Sequence, residues 1–135
     1  PTPMLADFGF LQKLSDPDSL RCGTMGYTAP EVLRGGDIGI SSDYWSFGVT
    51  VLETITREYL NLPSVKDAED FFEDRDMFGS VPEEKLMHGS WRFDPEVHEL
   101  FDQIITRCTI IDPRKRVKEF RAYIASISSE LKDFF

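Results

Sequence analysis

The chain has 135 residues, which is enough for one domain with a single hydrophobic core, or for part of a larger domain. Its 15 Lys and Arg against 24 Asp and Glu give a net charge of -9, which disfavours binding to nucleic acid and to anionic membranes. Two widely separated cysteines favour free intracellular thiols over disulfides or a zinc site, and no apolar run approaches the length of a membrane span. We therefore expect a soluble, cytoplasmic protein with no nucleic-acid or membrane partner.

The N-terminal end reads as a piece of a longer polypeptide. The sequence begins with Pro1, without an initiator Met, and enters a short apolar run at once. Residues 3–6 predict a short strand, and Asp7-Phe8-Gly9 follows it. Alone, this triplet favours an ordinary turn, because Gly tolerates positive φ and Asp bonds its own backbone.

The next part of the chain predicts a loop and two helices. Residues 10–28 show no sustained periodicity, and a loop of that length indicates a functional role. Residues 29–34 suit one or two helical turns, with Pro30 near the start and Gly35-Gly36 as the stop. Residues 43–57, DYWSFGVTVLETITR, point apolar side chains in nearly every direction, which predicts a helix buried all round.

The remaining sequence predicts further helices. Ser64 can cap a helix over residues 66–73, and residues 82–88 can form another. A helix starting at residues 94–96 has one core face, because its apolar residues recur with helical spacing. A C-terminal helix is expected to pack on its own domain through an apolar seam. The seam consists of Val117, Phe120, Ile124, Ile127, Leu131 and Phe134. With no strand indicated after Ala6, the chain is expected to be mostly α-helical.

Four short motifs follow one another along the chain: Asp7-Phe8-Gly9, Ala29-Pro30-Glu31, Asp43-Tyr44-Trp45-Ser46-Phe47-Gly48 and Asp112-Pro113-Arg114-Lys115-Arg116. In this order they make the chain resemble the eukaryotic protein kinases, whose activation segment runs from Asp-Phe-Gly to Ala-Pro-Glu. The resemblance implies a partial kinase domain over residues 1–135, the helical C-terminal lobe of the protein-kinase-like (α+β) fold. Residues 1–31 would be the activation segment and residues 32–135 the helical part, with the N-terminal β lobe absent.

The resemblance also implies roles for single residues. Asp7 would hold Mg²⁺ at the phosphates of ATP, with Phe8 packed beneath it and Gly9 letting the segment move. Thr24, the second catalytic candidate, would hydrogen-bond the catalytic machinery beside the phosphoacceptor. Glu31 and Arg116 would form a buried ion pair, since a buried charge is tolerated when it is paired.

The substrate side of the site is implied by neighbouring residues. Gly23 and Thr24 with Tyr27 favour Ser or Thr acceptors over Tyr and would help to dock the substrate. Asp43 lies at the start of a predicted helix, where the helix dipole stabilises its negative charge whatever its function. By resemblance, it also bonds the backbone of the catalytic loop, which this sequence lacks.

Within the family the chain looks most like the cyclic-nucleotide-dependent branch of the AGC kinases, with two departures. Leu20 occupies the place of that branch's activating phosphothreonine, so the phosphosite is missing or has moved to Ser19 or Ser15. Met25-Gly26 replaces the usual Pro-Glu and removes an acid that would favour basic substrates. Glu53 is then the remaining candidate for that role.

Several kinase parts have no counterpart in the sequence. The Gly-rich loop, the strand Lys with its helix Glu, and the H-R-D loop are all missing. We expect this chain alone to be inactive, with no tightly bound ATP or Mg²⁺. Two functions stay open: part of an intact Ser/Thr kinase, with a protein substrate and the remainder of the kinase domain as partners, or a truncated, non-catalytic interaction module.

Overall fold

The structure is a computed structural model that describes residues 4–9, 11–13, 23–56, 59–60, 62, 64–73 and 95–131. Its helices within these ranges are α1 (Pro30–Leu33), α2 (Ile40–Thr56), α3 (Val65–Glu73), α4 (Pro95–Cys108) and α5 (Pro113–Leu131). The expectation of a mostly helical chain is confirmed. None of these helices is both long and apolar enough to span a membrane.

The strand expected over residues 3–6 is wrong where the structure can be compared. Residues 4–6 form no strand, and Met4 and Leu5 are each 89% exposed. A strand needs a neighbouring strand to satisfy its backbone groups, and the described part of the chain contains none. The helix predicted over residues 82–88 lies outside the described ranges.

Helix α1 is short and ends in a complete Schellman motif. Gly35, with φ 89°, donates its N–H to the carbonyl of Val32 over 2.9 Å, and Gly36 donates to the carbonyl of Glu31 over 2.8 Å. A Cβ on Gly36 would lie 2.7 Å from that carbonyl oxygen. The predicted Gly-Gly stop is confirmed, and it sets where the chain turns away from Glu31.

Helix α2 is the centre of the core, but only one of its faces is buried. Trp45, Val49 and Leu52 are at most 2% exposed, whereas Phe47, on the opposite face, is 45% exposed. The prediction of a helix buried all round is therefore wrong for this structure. Helices α4 and α5 are its main neighbours among the described helices, and they leave Phe47 only partly covered.

The close packing of α2 on α4 depends on a glycine. A Cβ on Gly48 would lie 2.5 Å from the Cβ of Cys108 and 3.1 Å from the Cγ2 of Thr109. Cys108 is fully buried there, and this burial raises the pKa of its thiol to about 12. The thiol is thus a small core side chain rather than a reactive group.

Helices α3 and α4 start where the sequence predicts. The Ser64 hydroxyl accepts the N–H of Asp67 over 3.1 Å, which is the expected cap of α3. Phe72 of α3 packs edge-to-face on Trp45, with ring centroids 4.8 Å apart. On α4, Ile105 and Cys108 are buried in the core.

Helix α5 begins at Pro113, four residues before the first residue of the predicted seam, because Asp112 caps it. The Asp112 carboxylate accepts the N–H groups of Lys115 and Arg114, and these bonds lower the pKa of the carboxyl group. Along the predicted seam Phe120 is buried, and Val117 and Ile127 are half-buried. One turn after Phe120, Ile124 is 40% exposed, and Phe134 lies outside the described residues.

Candidate functional site

Asp7 lies in an exposed turn at the start of the candidate site. It adopts φ 62°, a left-handed conformation that Asp tolerates better than most residues, and its Oδ1 accepts the N–H of Gly9 over 3.3 Å. Leu11 donates its N–H to the carbonyl of Phe8 over 3.0 Å. Phe8 is 62% exposed, so the packing beneath Asp7 that the resemblance implies is not seen here.

The chemistry of Asp7 fits Mg²⁺ as one ligand of several. Its carboxylate is exposed and therefore open to an incoming cation. Among the residues that can be described, no group of three His, Cys, Asp or Glu could hold a metal ion. Mg²⁺ is commonly bound by one or two carboxylates together with phosphate oxygens and water. Asp7 therefore has the donor chemistry of one ligand in such a site.

Residues 24–27 form a tight turn. The N–H of Tyr27 donates to the carbonyl of Thr24 over 3.1 Å, and Gly26 has φ 91° at the third position, as in a type II turn. The Thr28 hydroxyl donates to the same carbonyl over 3.1 Å. Gly26 thus occupies a conformation that an L-residue rarely adopts, so this turn favours glycine at that position.

Glu53 joins the turn to the chain after α2. Its carboxylate accepts the Tyr27 hydroxyl at one oxygen, and the backbone N–H of Leu60 over 2.7 Å at the other. The hydrogen bond to Glu53, followed by burial and the negative charge, raises the pKa of Tyr27 above its ordinary value. The Ser46 hydroxyl adds a third hydrogen bond, which it donates to the carbonyl of Tyr27 over 2.7 Å.

Glu31 and Arg116 meet in the interior, 85 positions apart in the sequence. Arg116 Nη1 lies 2.7 Å from Glu31 Oε1, and Arg116 Nη2 lies 3.1 Å from Glu31 Oε2, so the pair is bidentate. The Arg116 side chain is fully buried, and its guanidinium carbon lies 5.0 Å from the centroid of the Trp45 ring.

The remaining donors of Arg116 are used as well. They bond three backbone carbonyls: Ser41 over 2.8 Å, Ile110 over 2.8 Å and Ile111 over 3.2 Å. One side chain therefore fastens the first turn of α1, the start of α2 and the segment between α4 and α5. Such full satisfaction is what makes a buried cation tolerable.

The structure brings some of the candidates together and leaves others apart. Glu31 meets Arg116, and Tyr27 meets Glu53, whereas the hydrogen bond described for Asp7 stays within its own turn. Asp43 is exposed in the first turn of α2. The phosphosite candidates Ser15 and Ser19 lie outside the described residues.

Sequence reasoning missed two parts of this site. The Ser46 hydroxyl bonds the carbonyls of Tyr27 and Ser42, and a serine inside a helix gives only a weak signal of such an anchor. Leu60 contributes through its backbone N–H, for which a side-chain pattern carries no signal.

Comparison with known proteins decides the family. Residues 2–126 match the model of the protein kinase domain. The chain belongs to the protein kinase family. This is the family expected from the four motifs, and the helical architecture agrees with the expected kinase C-terminal lobe.

Three curated relatives illustrate the breadth of the match. The dual specificity protein kinase zak2 of Dictyostelium discoideum is 30% identical over 96% of this chain, and the RAC family serine/threonine-protein kinase homolog of the same organism is 30% identical over 85%. The human cAMP-dependent protein kinase catalytic subunit PRKX is 29% identical over 84%. The chain spans only 18%, 24% and 28% of the lengths of these relatives. No solved structure matches it significantly.

Proposed function

We propose that residues 1–135 are part of a Ser/Thr protein kinase that transfers the γ-phosphate of ATP to Ser or Thr hydroxyls of a protein substrate in the cytoplasm. The Glu31–Arg116 ion pair is the observation that supports this proposal most directly, because it fastens the end of the segment from Asp7 to Glu31 onto the helical lobe. Neither nucleic acid nor a membrane is proposed as a partner, in keeping with the net charge of -9.

The proposal gives Asp7 and the turn at residues 24–27 separate tasks. Mg²⁺ bound with ATP would neutralise charge that develops on the transferring phosphoryl group. The exposed Asp7 carboxylate would bind that cation, with Phe8 and Gly9 placing the carboxylate. Gly23, Thr24 and Tyr27 would position the acceptor hydroxyl, on a turn held by hydrogen bonds to Glu53 and Ser46.

The contacts of Glu53 within the chain limit how it can take part in substrate docking. Both carboxylate oxygens accept hydrogen bonds from this chain, from the Tyr27 hydroxyl and from the Leu60 amide. Both donors are neutral, so the negative charge of Glu53 is not cancelled and can still attract a basic substrate residue. We propose that Glu53 first positions the turn and only secondarily influences the choice of substrate.

Activity of a longer polypeptide tests the proposed function. The coding sequence upstream of Pro1 is read for a Gly-rich loop, a strand Lys and an H-R-D loop, and the encoded protein is assayed with Mg²⁺ and γ-labelled ATP. We expect phosphoserine or phosphothreonine on a protein substrate, abolished by Asp7→Asn, and no transfer by residues 1–135 alone.

Two outcomes would contradict the proposal in different ways. Labelling on tyrosine as well would contradict the Ser/Thr restriction, which the dual-specificity name of one relative makes worth checking. Absence of an upstream nucleotide-binding region in frame would favour the alternative, a truncated non-catalytic interaction module. Phosphate transfer by residues 1–135 alone would overturn the predicted inactivity of this chain.

A further inference from the structure

Cations cluster on helix α5 in a protein that is otherwise strongly acidic. Residues 114–121 contain five of the 15 Lys and Arg residues but only one of the 24 Asp and Glu residues, which leaves 10 cations and 23 acids in the rest of the chain. One of the five, Arg116, is buried in its ion pair with Glu31. The other four are exposed, namely Arg114, Lys115, Lys118 and Arg121.

Three of the exposed cations lie in one row on the outer side of α5. Arg114, Lys118 and Arg121 follow one another at spacings of four and three residues, which places them on the same face of the helix. Arg116, which is fully buried, and the half-buried Glu119 lie on other sides of the helix. The row spans about 10 Å along the axis, because each helical residue adds about 1.5 Å. We call these three residues the α5 stripe.

The stability of α5 does not account for the α5 stripe. The first turn of the helix contains no acid, and Arg114 stands there against the positive end of the helix dipole. Like charges three or four residues apart destabilise a helix further. The Asp112 carboxylate, just before the helix, faces Arg114 and Lys115 and offsets part of their charge. The α5 stripe therefore opposes helix formation, which indicates a role outside folding.

The charges of the α5 stripe are available to a partner. The ion pairs described for this chain involve none of its three residues. Arg121 Nε lies 3.5 Å from the Tyr44 hydroxyl, at the outer limit of a hydrogen bond. That hydroxyl is neutral, so it places the guanidinium group without cancelling its charge. A carboxylate from another molecule can therefore pair with each of the three cations.

We propose that the α5 stripe is a docking site for an acidic helix of another protein. A helix with Asp or Glu residues at spacings of four and three meets all three cations, because both helices have the same rise per residue. Ala125 is exposed one turn after Arg121, and its small side chain lets a second helix approach closely. This inference goes beyond the proposed function, since such binding requires no phosphate transfer.

The charge of the surrounding surface favours a short acidic partner over a long polyanion. Salt screens exposed charges that are more than about 10 Å apart in about 0.1 M salt, and this distance is close to the length of the α5 stripe. A nucleic acid or an anionic membrane extends well past the stripe and meets the excess of acids in the rest of the chain. Three carboxylates on one helix need to contact only the stripe.

Binding of two designed peptides to residues 1–135 tests this inference. Both are fluorescein-labelled, Ala-rich helices of about 20 residues, long enough to be helical in water, and both contain three Glu residues. In the first peptide the Glu residues follow at spacings of four and three, and in the second they are five residues apart and point to different sides. Fluorescence anisotropy at low salt should show the first peptide binding at least about fivefold more tightly, with both affinities falling as salt is added.

Charge reversals locate the site on the protein. Arg114→Glu, Lys118→Glu and Arg121→Glu should each weaken binding of the first peptide about three- to tenfold. Lys66→Glu is the matched control, since Lys66 is exposed on α3 and the same change of charge is made outside the α5 stripe. We expect the control to change the affinity less than about twofold. Gln at the three stripe positions replaces any reversal that fails to fold, and thermal melting should show no loss of stability in these Gln variants.

Four results would overturn the docking site. Failure of the first peptide to bind, equal affinity of the two peptides, or equal effects of Lys66→Glu and the stripe reversals would leave only unspecific attraction. A lower melting temperature of the Gln variants would give the α5 stripe a structural role. Tighter binding of single-stranded DNA or of vesicles that contain phosphatidylserine, weakened by the same reversals, would make a polyanion the partner. Self-association seen by light scattering and abolished by Arg121→Glu would place a second copy of the chain on the stripe.

Discussion

The two ends of the segment from Asp7 to Glu31 differ sharply in how they are held. Glu31 is fixed by two hydrogen bonds from Arg116, whose side chain is fully buried and bonds three backbone carbonyls besides. Asp7 is exposed, and the one hydrogen bond described for its carboxylate goes to Gly9 over a long 3.3 Å. Both residues belong to equally recognisable sequence motifs.

The difference shows that a motif can be complete in sequence and incomplete in structure. The hydrogen bonds described for the Arg116 side chain go to residues 31–41 and 110–111, which the chain supplies itself. The resemblance gives Asp7 partners of another kind, a metal ion and a nucleotide. Variants at the two ends should therefore differ most in what they do to folding.

The largest effect is expected at Arg116. Arg116→Met leaves the Glu31 carboxylate partly buried without its partner and strands three carbonyls, which costs about 3–5 kcal/mol. That loss is a large share of a typical unfolding free energy of about 5–15 kcal/mol. Urea unfolding of residues 1–135 measures it, with a strongly reduced midpoint expected.

Two further variants isolate the cause of that loss. Arg114→Met removes an exposed cation from the same motif and should change stability by no more than about 0.5 kcal/mol. Adding Glu31→Gln to Arg116→Met should recover part of the loss, because it removes the stranded charge. Equal effects of Arg114→Met and Arg116→Met would contradict the role of the buried joint.

A smaller effect is expected where α2 crosses α4. Gly48→Ala puts a methyl group 2.5 Å from the Cβ of Cys108, so the helices must separate, at a cost of about 1–3 kcal/mol. Gly39→Ala is the control, since a Cβ at Gly39 meets nothing within 4 Å. A melting temperature unchanged by Gly48→Ala would show that this contact has room to relax.

Much of the helical layout could be predicted because its causes are local. The cap at Ser64, the Gly35-Gly36 stop and the start of α4 at Pro95 all follow from single residues acting on the neighbouring backbone. The burial of α2 could not be predicted in this way. Periodicity reports which side chains are apolar, whereas exposure of Phe47 depends on which other segments are present to cover it.

The candidate site likewise has a part that could be predicted from the sequence and a part that could not. The family could be identified from four motifs, but the links among Tyr27, Glu53 and Leu60 use a backbone amide and a loop conformation. The resemblance implies only the loss of an acid at Gly26, whereas its φ of 91° makes glycine the residue that the turn favours. Long-range contacts of this kind depend on tertiary geometry rather than on residue type.

Loss of the hydrogen bond between Tyr27 and Glu53 is expected to reduce stability less than Gly48→Ala does. Tyr27→Phe removes it and should cost about 1 kcal/mol at neutral pH. Folding raises the pKa of Tyr27 above its usual 10.0. The hydrogen bond therefore stabilises the folded state fully below pH 10.0, and this contribution disappears as the pH rises through the folded-state pKa. Wild type and variant should therefore become equally stable at strongly alkaline pH.

Ultraviolet titration of the four tyrosines gives an independent check of that assignment. Tyr27→Phe should remove a phenol that ionises above the ordinary range. Glu53→Gln should lower the pKa of Tyr27, because it weakens the hydrogen bond that Tyr27 donates and removes the nearby negative charge. If the variant loses an ordinary phenol instead, the hydrogen bond to Glu53 does not persist in solution.

The smallest effect on folding is expected at Asp7. Asp7→Asn keeps an acceptor oxygen for Gly9 and a side chain that tolerates φ 62°, so the unfolding free energy of residues 1–135 should change by less than about 0.5 kcal/mol. Denaturation of the two proteins side by side measures this difference. A loss above about 1 kcal/mol would mean that the turn at Asp7 packs as firmly as the joint at Arg116, and the contrast between the two ends would fail. No loss of stability, together with loss of phosphate transfer in a longer polypeptide, would show that Asp7 serves a ligand rather than the fold.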